Sequence, residues 1–71
     1  MKRTVNTVTV FDWDDNSKHK IITKRLEIEG DYRYVIEVDG AFWCTAEMFS
    51  EVYSEINDII KLYNWKLIPT I

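Results

Sequence analysis

The chain has little of what usually braces or punctuates a small protein. It holds one cysteine, Cys44, in 71 residues, so an internal disulfide is excluded. A small fold without a disulfide framework leads us to expect a reducing, cytoplasmic setting, that of a host cell if the gene is phage-borne. The single histidine, His19, has no Cys or His at metal-ligand spacing and no neighbour in sequence that would complete a triad. Two glycines stand far apart, which excludes a glycine-rich phosphate loop. One proline, Pro69, leaves no proline-rich linker. No apolar run approaches the roughly 18 residues that span a bilayer, so no membrane segment is expected. The start, MKRTVNTVTVF, has neither a long apolar h-region nor a small-residue cleavage site, and reads as mature sequence.

What is present describes one globular domain over residues 1–71. Hydrophobic residues make up 46% and charged residues 30%, outside the composition of disordered chains. A domain of this size buries a modest fraction of its surface and cannot wrap a second layer around a deep cleft. The net charge is −3, but the signs are unevenly spread. Residues 1–25 carry six bases against three acids, whereas residues 26–71 carry three bases against nine acids. Such asymmetry bears on partners, not on fold.

Val- and Thr-rich residues 4–13 predict a first strand, and DDNS the turn after it. Residues 20–29 and 32–38 alternate as second and third strands. Asp39-Gly40 is a strong hairpin signal, and residues 41–45 return as a fourth strand. A three-residue loop EGD would set Ile28 opposite Tyr32, Leu26 opposite Tyr34 and Glu27 opposite Arg33, matching apolar with apolar and acid with base. For the next hairpin, a two-residue loop pairs Ile36 with Trp43, and a three-residue loop with a glycine bulge pairs Ile36 with Phe42. The second buries Phe42 and Cys44 and leaves Trp43 outside; we favour it.

The period changes over residues 46–63. Met48, Phe49, Val52, Tyr53, Ile56, Ile59, Ile60 and Tyr63 fall on one helical stripe. Glu47 suits the positive end of the helix dipole, and Asn64 suits a left-handed cap. WKLIPTI then reads as a short last strand, held to an edge by Pro69. The expected class is α+β: a two-layer, antiparallel β-meander of four strands with one amphipathic helix packed on one face and a short C-terminal edge strand, β-β-β-β-α-β. One helix covers one sheet face. The other would be open, with Val35, Ile21 and, in the bulged register, Trp43 on it.

The cluster FDWDDNSKH is the first candidate for chemistry. An EF-hand loop beginning at Asp12 would need Gly and Glu where Ser17 and Thr23 stand. VTVFDWD resembles the nucleophile strand of haloacid dehalogenase-like phosphatases, but Asn16 replaces their Thr and the chain is too short for their doubly wound sheet. A polar turn is the better reading. His19 reads as solvated and Cys44 as a small core residue. No catalytic residue, metal or cofactor is expected, and the chain reads as non-enzymatic.

A row of acids on the helix is the more informative feature. Glu51, Glu55 and Asp58 follow at four and three residues, Glu47 leads in, and Leu62 continues the line. A solvated face is the plain reading. The sharper reading is a surface that offers carboxylates to a basic groove on another protein, with Trp43 and Trp65 as apolar anchors. Such a surface competes with nucleic acid for an enzyme's channel. Small phage-encoded inhibitors, including anti-restriction and anti-CRISPR proteins, share these traits, and a protein-binding inhibitor of that kind is the leading expectation. The alternatives are a homodimer or larger self-assembly through the open sheet face, and a single-strand nucleic-acid binder using Lys18, Lys20, Lys24 and Arg25 of the first hairpin. The negative balance counts against nucleic acid as partner.

Overall fold

A computed structural model describes residues 2–67. Pro69 and the rest of the expected last strand beyond Leu67 lie outside the described residues. The chain runs β1 (Lys2–Asp12), β2 (Lys18–Ile28), β3 (Asp31–Val38), β4 (Ala41–Ala46), α1 (Phe49–Leu62) and β5 (Trp65–Leu67). The first four strands form an antiparallel meander, and the spatial order is β4-β3-β2-β1-β5. The helix therefore carries the chain across one sheet face, from β4 at one edge to β5 at the other. The expected α+β architecture is the one observed.

Local chemistry sets the three turns. Asp12 and Ser17 close the first hairpin through Asp12 N–H to Ser17 O at 2.9 Å. Inside it the carboxylates accept from amides two residues on: Asp14 N–H to Asp12 Oδ1 at 2.7 Å and Ser17 N–H to Asp15 Oδ1 at 2.8 Å. These are turns that Asp favours by bonding its own backbone. Asp39 (φ 52°) and Gly40 (φ 87°) make the two-residue loop of the third hairpin. Glu29 (φ 50°) and Gly30 (φ 85°) do the same in the second. Positive φ at both centres matches the twist of the flanking strands.

That second loop corrects the expected register. It has two residues, not three, so Ile28 stands opposite Asp31, Glu27 opposite Tyr32 and Arg25 opposite Tyr34. A one-residue slip turns every side chain over. Ile21 and Thr23, opposite Val38 and Ile36, face the helix and are fully buried. Ile22, Lys24 and Leu26 face the other way. Ile21 thus belongs to the core and not to the open face.

The third hairpin combines both expected alternatives. Its loop has two residues, yet the register shifts between Ile36 and Glu37, so that Val38 meets Ala41, Glu37 meets Phe42 and Ile36 meets Cys44. Trp43 is the extra residue. A bulge there re-aims the strand: Trp43 and Cys44 pack against the core while Phe42 is 67% exposed. Neither expected pairing of Ile36 occurs, and Trp43 is not on the open face.

The core joins Val10, Ile21, Ile36 and Ala46 of the sheet to Val52, Ile56 and Ile59 of α1, with Trp65 at its end. Each such aliphatic side chain contributes about 1.5–3 kcal/mol when fully buried. The helix starts at Phe49, three residues later than expected, because Thr45 and Ala46 still pair with Val35 and Tyr34. Met48 is its N-cap and makes no side-chain capping bond. Asn64, at φ 54°, takes the left-handed position after the helix, with its N–H on Lys61 O at 3.2 Å. Among the described residues no hydrogen-bond partner is placed for the buried Thr23 Oγ1.

Candidate functional site

Three constellations stand out, and the expected acidic row is the first. Glu47, Glu51 and Asp58 are exposed, and Leu62 is 67% exposed. At about 100° per residue Glu51, Asp58 and Leu62 form a flank of α1, not its outer crest, and Glu47 stands just ahead of the helix. The flank lies toward β4. Glu55 shows this: it is half-buried, and its Oε2 accepts from Cys44 Sγ at 3.6 Å. Glu55 therefore looks into the molecule, unlike its neighbours in the row. Glu47 stands 3.9 Å from Arg33, an exposed pair of little energetic weight.

The two tryptophans expected as anchors sit elsewhere. Trp65 is 7% exposed and lies in the core. Its indole stacks on the His19 ring at 4.4 Å and on Tyr63 at 4.5 Å, and Tyr63 meets Trp43 edge-on at 5.5 Å. This ladder of rings closes the end of the core beneath the turns. Leu62 at the end of the row and Met48 at the helix N-cap are exposed apolar side chains on this layer.

Cys44 takes its character from Glu55. Burial pushes its thiol up, and the neighbouring carboxylate adds to the effect, so it titrates at about 11 instead of 9.0. The thiolate is the nucleophile, so Cys44 stays unreactive at neutral pH. Alkylation by iodoacetamide, followed by mass spectrometry across pH, should rise only as pH approaches 11. Glu55→Gln removes the negative neighbour and should move that rise to lower pH. A wild-type rise centred near pH 9.0, the ordinary value, contradicts the contact.

The second constellation escaped the sequence. Ser17 Oγ lies 2.9 Å from His19 Nε2, and His19 Nδ1 lies 2.7 Å from Asp39 Oδ2. Ser17 and His19 flank a turn; Asp39 is twenty residues on, and only the side-by-side packing of the two hairpins brings it near. The order of groups is that of a hydrolase triad. The surroundings describe a clasp. Asp39 Oδ1 accepts from Lys20 N–H at 2.9 Å, and Asp39 N–H donates to Lys20 O at 2.8 Å. Ser17's own N–H is taken by Asp15. Burial raises the Asp39 carboxyl, but the bonds from His19 and from Lys20 N–H outweigh it and hold the group below its ordinary value. The array ties the third hairpin to the start of β2.

Third, the uncovered sheet face is basic. Residues in register share a face. Lys66, Phe11 and Lys18 form one cross-strand row; Thr9 and Lys20 the next; then Thr7, Ile22, Glu37 and Phe42; then Thr4, Lys24, Val35 and Thr45. Lys2, Leu26 and Arg33 follow. Glu37 and Val35 are nonetheless buried, at 8% and 7% exposure. Lys24 and Lys2 close over Glu37 at 3.1 and 3.7 Å, their stems covering apolar surface while the charges stay in water. Lys2, Arg33 and Lys66 were not among the expected basic residues; only the register brings them in.

A groove of about 350 Å³ between β1 and α1, lined by Val8, Tyr53, Ile56, Ile60 and Leu67 among others, adds an apolar recess. No group of three or more His, Cys, Asp or Glu side chains is placed to hold a metal among the described residues. None of the described helices is long and apolar enough to cross a membrane. No family model, no curated protein and no solved structure matches the chain.

Proposed function

We propose that the chain is a non-enzymatic protein-binding module whose α1 flank docks on a basic surface of another protein. The partner in this reading is an enzyme that handles nucleic acid, and the module inhibits it as small phage-encoded proteins do, by filling a groove meant for phosphates. One observation carries the reading: Glu51 and Asp58 stand exposed on one side of α1, with Leu62 exposed at the end of the same line and Glu47 exposed just ahead of the helix. Long-range attraction steers such a surface to its target, and the apolar side chain supplies contact area once there. Glu55 is not counted among the contacts, because its carboxylate serves Cys44. Trp65 is not counted because it serves the core.

Charge reversal tests this. Glu47→Lys, Glu51→Lys and Asp58→Lys together leave the core untouched, so the melting transition should shift little. Capture of partners from a lysate should fall by about tenfold or more, as opposite charges become like charges. Capture equal to wild type contradicts the proposal.

Self-association is a second reading, favoured by the opposite charges of the two faces. An isologous pairing through the sheet would set lysines against lysines. A head-to-tail pairing would set the acid flank of one copy on the lysine face of the next. Sedimentation of the purified chain tests both: a strict monomer at tens of micromolar removes them.

A further inference from the structure

The lysine face can be read independently of the acid flank. We propose that the open face of the sheet binds single-stranded nucleic acid, with the strand crossing β5, β1, β2, β3 and β4 near the end that carries the Asp12–Ser17 and Asp39–Gly40 turns, past Lys66, Phe11, Lys18, Lys20 and Phe42.

Charge is the first ground. Lys2, Lys18, Lys20, Lys24, Arg33 and Lys66 share this face. Its central acid, Glu37, is neutralised by Lys2 and Lys24. Asp39 at the rim is held by His19 and the Lys20 amide, and Asp31 stands at the far end of β3. Lys18 and Lys20 make no ion pair among the described residues. The net charge of −3 is spread over the whole molecule: Glu51, Glu55 and Asp58 belong to the helix layer, whereas Asp14 and Asp15 lie in the turn beside Trp13, where Asp15 holds the Ser17 amide. Salt screens exposed charges over about 8 Å under physiological conditions, and Glu51 and Asp58 stand on the helix layer beyond the sheet, although Glu47 reaches this face at Arg33, 3.9 Å away.

Aromatic rings are the second ground. Phe42 on β4 is 67% exposed, and Trp13 in the first turn is 59% exposed. Lys66 Nζ sits 4.9 Å from the Trp13 ring centroid, so one charge and one ring already stand together at that corner. Phe11 lies between them and Lys18 in register. A basic surface with separated aromatic platforms is the arrangement that stacks unpaired bases and tracks their backbone without reading sequence. Thr4, Thr7 and Thr9 add hydroxyls on the same face. A protein partner would be met by apolar area at the centre, where this face instead presents lysine stems. A duplex has its bases stacked inside, leaving Phe42 and Trp13 without a role.

The test uses the full chain and a fluorescein-labelled oligothymidylate of about twelve nucleotides, long enough for one small sheet site. Anisotropy should report binding at about 50 mM salt that weakens steeply by about 200 mM. Lys18→Ala with Lys20→Ala should weaken binding and lower the slope of log K against log salt by about 1.4, two contacts at about 0.7 each. Phe42→Ala should weaken binding by about tenfold while leaving that slope unchanged, the mark of lost stacking. Glu51→Gln with Asp58→Asn should keep at least wild-type affinity, which separates this site from the acid flank. All three positions mutated for loss are exposed, so far-UV circular dichroism should stay native. No binding at low salt overturns the proposal, as does binding indifferent to Lys18, Lys20 and Phe42. A multimer of the protein alone that dissolves on mutating Lys18 and Lys20 also overturns it, in favour of a second copy as the occupant.

Discussion

Trp65→Ala should leave the protein largely unfolded, or with a sharply lowered urea midpoint by circular dichroism. The side chain is 7% exposed and held between His19 and Tyr63. Truncating a buried tryptophan costs about 3–5 kcal/mol. At about 0.05–0.15 kcal/mol per residue, a chain of this length has roughly 4–11 kcal/mol in total, so the loss is a large share. Two further effects add to it. β5 is three residues long and its pairing with β1 begins at Trp65 opposite Asp12; without the indole, little fixes that edge. His19 also loses the surface on which its ring lies, which loosens the clasp to Ser17 and Asp39. Trp65→Phe keeps a stacked ring and should retain most of the stability. An unchanged midpoint for Trp65→Ala would return Trp65 to the role of exposed anchor.

The fate of Trp65 shows where sequence reading ran out. Periodicity made the helix legible, since Val52, Ile56 and Ile59 recur at steps of four and three and all are buried. Asp39-Gly40 announced its turn, and Asn64 its left-handed cap. Strand order in the meander followed from short loops. Edge aromatics were harder. Trp65 stands just beyond the helix, between Asn64 and Lys66, and its burial depends on β5 joining β1, a contact between distant parts of the chain.

Register was lost for a local reason. A non-glycine residue at positive φ is uncommon, and Glu29 gives no sign that it adopts φ 50°. Pairing by chemistry preferred a longer loop that set Glu27 against Arg33. The observed register gives up that pair and gains burial of Ile21 and Thr23 instead. Lys24 then changes meaning. It seemed to interrupt an apolar face of Ile22, Leu26 and Ile28; in the fold, Ile22 and Leu26 interrupt a basic one. Glu55 was misplaced for a geometric reason: the acid row follows a flank, and on a flank one residue of the row turns inward. The bulge at Trp43 and the convergence of Ser17, His19 and Asp39 have no local signature.

Both the acid flank and the lysine face follow from which side of β2 meets the helix. Two adjacent isoleucines decide it. Urea denaturation of Ile21→Lys and Ile22→Lys, run side by side, tests the assignment. Ile21 has 0% exposure, so an ammonium there is buried without a partner and should cost several kcal/mol, enough to prevent folding. Ile22 lies among Lys20, Lys24 and Glu37 on the open face, and its replacement should cost about 1 kcal/mol or less. A folded Ile21→Lys beside an unfolded Ile22→Lys would mean that the sheet is turned over, and neither binding surface would then exist as described.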